Sequence, residues 1–502
     1  METLAKNSSI IKLKSKFFLY RAFIYASFLL VPTWLPKLFP LTPLLQIILI
    51  LFYILFIASQ WFLLGKEIDH RFKIYYKVNS SIDRISYRLV TGKTAMLLYF
   101  AVLELLPKDI IKHFYWGTWV VLGLFYSWPT RGKIIEDTIS MQLIEFKFLD
   151  AFEKTVLGII LLFFLFSIPK FPMIEDIEAI KLFLDPSEKI HQIYWNFLSV
   201  NYFPFQKLPQ LYKLSWCLHF YFVELGSFLL IFYTFLRLFI SRRTAILGVF
   251  ALISSWSFPK ILGIQVGYLL SSTFSLLWIW STLWCIHSST YRSGLFIGVT
   301  TLWGTIVNRD LFILGLIQLA FIYIFSLRDK TFWFKRQIFK YASFGLIPAL
   351  IIFISSFEWT YHFTLGRSFS ILEEAVKYIN QKAFFSLSII GLGLLIIAIA
   401  KSHIPFTKQW GVEIDRMKKS IGMILILCFY QLWTQTALME TFSLLWIITF
   451  LSLLPLEWPL ILIRSNRSRY NLVYMIYILI CLLDSHFEGR VKIFLDIITH
   501  KN

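Results

Sequence analysis

Glu175, Asp176 and Glu178 stand together just after an apolar run that closes near Ile168, and the next long apolar run opens at Leu214. Carboxylates at such a boundary meet both water and lipid, where burial and neighbouring charge can tune an acid toward proton transfer. A base there, within reach of a hydroxyl proton, contributes about 10²–10⁴-fold to a reaction. The same three acids also suit a solvated turn near a helix N-terminus, where the dipole favours negative charge. Arg309, between two apolar runs, is the cation best suited to a phosphate, because its planar fork matches phosphate oxygens. Asp310 beside it offers an internal ion pair instead. Lys260 and Arg367 are further candidate phosphate ligands or plain interfacial anchors.

Inside the apolar run 214–240 lie His219 and Glu224. A carboxylate in a membrane span is costly, which makes Glu224 a candidate for function; a hydrogen bond within the bundle serves equally well. Five residues apart, the pair does not stack on one face of an ordinary α-helix. The stretch 358–382, with Glu358, His362, Arg367, Glu373 and Glu374, reads as a loop that could also cover a site. Cys217, Cys285, Cys428 and Cys481 are scattered with no CxxC pair, so buried thiols are expected and no metal ligand set is assigned. A divalent metal has no support from the residues, and any cofactor stays unknown. Walker, dinucleotide, HExxH and GxSxG motifs are absent, which argues against a nucleotide donor held in a soluble domain.

The elements that must position these groups are membrane helices. The chain has 502 residues, 58% of them hydrophobic, with a mean hydropathy of +0.68. Apolar runs of spanning length recur throughout, which predicts an all-α, polytopic transmembrane bundle of about 12–15 spans. The expected spans are 17–36, 43–64, 94–106, 113–128, 155–169, 214–240, 245–258, 262–286, 293–307, 310–326, 338–357, 383–400, 421–438, 441–463 and 470–484. The net charge of +20 is explained by where it falls, and no nucleic-acid partner is expected. With a cytoplasmic N-terminus, lysine and arginine collect in one alternate set of loops (65–93, 129–154, 237–243, 287–292, 327–340, 401–420 and 464–469), as the positive-inside rule requires. That orientation puts the acids at 175–178 on the outer face. Lys12, Lys14 and Lys16 precede an apolar run with no small-residue cleavage site, so an uncleaved first span is expected.

Between the spans, 170–213 is expected to be ordered. Asp185-Pro186-Ser187-Glu188 has the form of a helix start, with Asp185 as N-cap, Pro186 at the first helical position and Glu188 closing a capping box. A short helix to about Val200 follows. Ile190, Ile193 and Phe197 form its apolar face and Tyr194 and Trp195 lie near the edge, as on a helix resting on a bilayer surface. Residues 129–154 read as an amphipathic connector with a solvated acidic face. The expected parts are a four-span extension (1–128), the connector (129–154), a membrane core (155–400) carrying the outer loop 170–213, and C-terminal spans and tail (401–502).

From Thr155 to about Arg328 the layout resembles the core of a polyprenyl-phosphate-dependent glycosyltransferase of the GT-C class. The carrying features are Glu175-Asp176 after a span, the long loop to Lys213 and the basic turn Arg237 to Arg243. The outer turn Ser257-Phe258-Pro259 and the Gly294-to-Gly298 span leading to Asn308-Arg309-Asp310 complete them. The stretch after Pro259 offers Gln265 where many members of that class have a second acid. The resemblance implies an inverting transferase of the cell envelope, in the bacterial inner membrane, moving sugar from a polyprenyl-phosphate donor to a glycan, lipid or protein. Asp176 would be the base, with Glu175 and Glu178 as alternates, and Arg309 would hold the phosphate. Two rivals remain: a lipid-linked saccharide flippase or other transporter using Glu224, for which matched half-molecules with broken helices are not evident, and a polymerase or ligase of another architecture, whose outer loop should be arginine-rich where 170–213 has none. Sugar, acceptor and oligomeric state are not legible.

Overall fold

The structure, a computed structural model, describes residues 19–27, 30–32, 34–36, 42–72, 81–104, 106–127, 149–167, 189–255, 266–288, 290–355, 382–400, 411–434, 441–462 and 467–484. These residues are all helical apart from short turns, with no strand among them. Three helices are long and apolar enough to cross a membrane: Leu44–Phe72, Leu211–Leu236 and Phe332–Ser355. The chain divides into two compact units, Met1–Leu149 with Gln192–Val223, and Asp150–His191 with Glu224–Asn502. The boundary thus separates residues 192–223 from most of the chain that follows Asp150.

The first unit contains α1 (Pro43–Phe72), α2 (Ser81–Leu103), α3 (Lys108–Ser127), most of α5 (Lys189–Asn201) and α6 (Pro209–His219). α1 and α2 touch backbone to backbone. A Cβ on Gly65 would lie 1.8 Å from the Arg88 carbonyl oxygen, and one on Gly92 would lie 1.7 Å from that of Trp61. Only hydrogen fits at either point. Arg88 pairs with the buried Asp69 at 2.7 Å, joining the same two helices. Around this contact the interior is aromatic: the Phe100 ring meets Tyr115 and Phe197 edge-on, each at 5.8 Å.

α2 begins thirteen residues before the expected span at 94, since its first half, with Arg84, Arg88 and Lys93, is too charged to read as one. α5 does form, ending one residue past the expected Val200. Its surroundings differ from the expectation. Tyr194, Phe197 and Leu198 are all buried in the helical core of the unit, so Tyr194 is an inner residue and not an edge one.

The second unit holds α4 (Ala151–Ser167), α7 (Gly226–Leu236), α8 (Arg242–Ser254), α9 (Val266–His287), α10 (Gly294–Val307), α11 (Leu311–Ile322), α12 (Phe332–Ser355), α13 (Lys382–Ala400), α14 (Gly411–Thr434), α15 (Thr441–Leu462) and α16 (Arg467–Asp484). Small residues let apolar helices approach closely enough to pack backbone to backbone. α10 and α12 use Gly294, Gly298, Ala342 and Gly345: a Cβ on Gly345 would sit 2.0 Å from the Gly298 carbonyl oxygen. α13 meets α15 in the same way, through Gly391 against the Leu451 carbonyl and a hydrogen bond from Ser388 Oγ to the Ile448 carbonyl at 2.8 Å. The outer side of α12 carries Phe344, Ile347, Ile351 and Ile354, each more than half exposed, which suits a helix facing lipid.

Gly345→Leu should therefore part α10 from α12, destabilising the protein by about 2–4 kcal/mol. Gly158→Ala, where nothing lies within 4 Å, should leave the melting temperature unchanged or raise it slightly. Thermal melts of the purified protein in one detergent distinguish the two.

Candidate functional site

Several expected site residues lie outside the described residues: Glu175, Asp176 and Glu178, together with Lys260 and Arg367. So do Asp185 to Glu188, most of the 129–154 connector and the whole of 358–381. Arg309, His219 and Glu224 are described, and each has a built environment.

Arg309 sits in the tight turn between α10 and α11. Asn308 leaves the helix in an extended conformation, and its side-chain oxygen accepts from the Asp310 amide at 2.9 Å. Tyr430 of α14 donates its hydroxyl to the Asp310 carbonyl at 2.5 Å, so the turn is held from two sides. The Asp310 carboxylate stands 3.7 Å from the guanidinium, beyond the 2.7–2.9 Å or so of a charge-assisted hydrogen bond. The Arg309 side chain keeps 12% of its surface. These contacts fix the backbone of the turn at the end of two apolar helices, and the guanidinium it carries is mostly buried.

Glu224 is 2% exposed and lies in a π-helical segment, Phe220–Leu225, between α6 and α7. Such segments insert one residue into a helix and recur at functional sites. In the first unit, His219 is fully buried, with its Nδ1 2.6 Å from the Tyr202 hydroxyl and its ring edge-on to Trp61 at 6.0 Å.

That histidine belongs to a larger polar cluster which sequence reading missed. Lys93, 5% exposed, donates to the Tyr194 hydroxyl at 3.2 Å, and its ammonium lies 5.7 Å from the Trp61 ring and 5.2 Å from that of Tyr194. Trp61 stacks on Phe197 at 5.8 Å. Asn201 accepts from Tyr115 through its side chain at 2.7 Å and from Tyr53 through its carbonyl at 2.5 Å. Assigning Lys93 to a cytoplasmic loop hid it. The available signal was spacing: Lys93 falls three residues after Val90, four before Leu97 and seven before Phe100, on the buried stripe of its helix. The rings around the ammonium satisfy it electrostatically, and Tyr194 gives it an acceptor.

In the second unit, acids that sequence reading assigned to a solvated face prove to be structural. Asp150 and Glu153 form a reciprocal capping box at the start of α4: the Glu153 amide donates to Asp150 Oδ1 at 2.7 Å and the Asp150 amide to Glu153 Oε2 at 3.0 Å. Each carboxylate is also held by an arginine of α8. Arg242 binds Glu153 through Nε at 2.7 Å and Nη2 at 2.8 Å, and Arg243 binds Asp150. Hydrogen bonding to Glu153 raises the Arg242 pKa above its usual value, against the smaller opposing effect of burial. No group of three or more metal-binding side chains occurs among the described residues.

Comparison with family models, with curated proteins and with solved structures gives no match to this chain.

Because Glu153 is 1% exposed, Glu153→Gln should weaken the α4–α8 junction by about 2–3 kcal/mol, leaving Arg242 without its bidentate partner. Glu153→Gln with Arg242→Gln together should recover part of that loss. A double-mutant thermal-melt cycle measures the coupling; strictly additive losses would show that the pair contributes nothing of its own.

Proposed function

We propose that the chain is an integral membrane glycosyltransferase of GT-C-like build, an inner-membrane polytopic bundle with its N-terminus in the cytoplasm. It would transfer sugar from a polyprenyl-phosphate donor on the outer face, with inversion. The observation that supports this reading best is the Arg309 turn, whose backbone is held from two sides and whose guanidinium is of a kind suited to the leaving phosphate of a lipid donor.

In this reaction Asp176 takes the proton of the acceptor hydroxyl as that oxygen attacks the anomeric carbon. The bond from that carbon to the phosphate oxygen breaks, and the electron pair leaves with the lipid phosphate. Arg309 stabilises the charge that grows there, which is where preorganised donors act most strongly. Glu175 and Glu178 stand close enough in sequence to serve as the base instead, and Lys260 and Arg367 are the other outer-face cations.

A lipid-linked saccharide flippase or another transporter is the second reading. The buried Glu224 in its π-helical segment favours it, because an intramembrane carboxylate at a helix irregularity suits proton coupling.

Asp176→Asn should abolish sugar transfer while the protein still inserts and accumulates, and Arg309→Gln should lower kcat/KM on the order of ten-fold or more. Glu224→Gln should leave transfer nearly intact. Transfer assays with a radiolabelled polyprenyl-phosphate sugar check all three. Loss confined to Glu224→Gln, together with pH-gradient-driven movement of the lipid-linked sugar across vesicles, would replace the enzyme with the transporter.

A further inference from the structure

The chain entering α12 is strongly basic. Between 328 and 340 it carries Arg328, Lys330, Lys335, Arg336 and Lys340 against one acid, Asp329. None of the five cations forms an ion pair among the described residues. Lys335 is held in place, donating to the Arg328 carbonyl at 3.0 Å and lying 5.1 Å from the Tyr323 ring. Arg328, Lys330, Arg336 and Lys340 are exposed.

This arrangement is unfavourable by itself. A helix N-terminus carries roughly half a positive charge, so cations in the first turns are repelled by the dipole. Arg336 and Lys340, four residues apart, also repel each other across one turn. Salt in water would screen the charges, but two side chains put this turn at the bilayer surface. Phe332 is 80% exposed and Trp333 57%, at the start of a helix of spanning length whose later turns expose Phe344, Ile347 and Ile351. Trp333 packs edge-on against Tyr291 at 5.3 Å, which fixes an aromatic anchor of the kind that sits at headgroup depth. From Trp333 to Lys340 is about 10 Å along the axis, so with Trp333 at the outer edge of the headgroups Lys340 lies near their inner edge, where its long stem can still carry the ammonium back to phosphate.

We infer that this surface binds the phosphates of anionic phospholipids, with Lys330, Arg336 and Lys340 as their ligands and Phe332 and Trp333 packed among the headgroups beside them. Anionic headgroups supply the missing negative charge at the depth the aromatics set, which zwitterionic lipid cannot do. None of these residues enters the glycosyl-transfer site, so the two readings stand or fall separately.

The test uses the full-length protein in a neutral detergent, titrated with phosphatidylglycerol and with phosphatidylcholine, with bound lipid counted by native mass spectrometry. The wild type should retain phosphatidylglycerol in clear preference, and the preference should fall as salt rises. Lys330→Gln with Arg336→Gln and Lys340→Gln should cut it by about five-fold per cation removed. Arg71→Gln with Lys207→Gln and Lys418→Gln, an equal loss of charge elsewhere, should leave it unchanged. Equal retention of the two lipids by the wild type overturns the assignment, and that comparison needs no variant to fold. An equal drop in the control variant overturns it too, as does displacement of the lipid by millimolar inorganic phosphate, which would make free phosphate the ligand.

Discussion

Two apolar helices in a bilayer gain nothing by leaving lipid for each other, so contact between them needs a reason beyond hydrophobicity. In this chain the reason is backbone approach through glycine. Gly65 and Gly92 join α1 to α2, Gly298 and Gly345 join α10 to α12, and Gly391 joins α13 to α15. At each point a methyl group would collide with a carbonyl oxygen. The flanking aromatics and branched side chains can then interlock, and the Arg309 turn at the end of α10 inherits a fixed position from the α10–α12 contact.

Polar groups complete what the glycines begin. An unsatisfied buried charge is expensive, and the buried charged residues Asp69, Glu153 and Lys93 each have company. Asp69 has Arg88, Glu153 has Arg242, and Lys93 has Tyr194 and two ring faces. The capping box at Asp150 and Glu153 serves twice, satisfying the free amides of α4 and neutralising two arginines of α8. The basic entry to α12 differs in having no ion pair among the described residues; its lysines are met by a carbonyl and ring faces.

Much of the helical layout was legible in the residues. Apolar runs marked most of the described helices, because spanning length and hydropathy are local properties. But α1 runs eight residues past the expected end at 64, α12 starts six before 338 and α14 ten before 421, since charged turns extend those helices into stretches expected to be loops. The existence of helix α5 was legible too, since its periodicity lies within a dozen residues, but its burial was not, because the rings that cover it come from α1 and α2. The start of α2 was not, because Arg84, Arg88 and Lys93 interrupt the apolar run and only their partners on other segments make them tolerable. The Arg309–Asp310 neighbourhood could be read from adjacency; the support of Tyr430, 120 residues away, could not.

The residues by themselves determined that this chain is helical and has helices apolar enough to cross a membrane, because composition and period act over a turn or two. Tertiary structure decided which charges are spent on structure. Asp150 and Glu153 look like solvated acids in the sequence, and Lys93 looks like a loop cation. Each is assigned its real role by groups brought to it from distant segments, and no local pattern encodes that meeting.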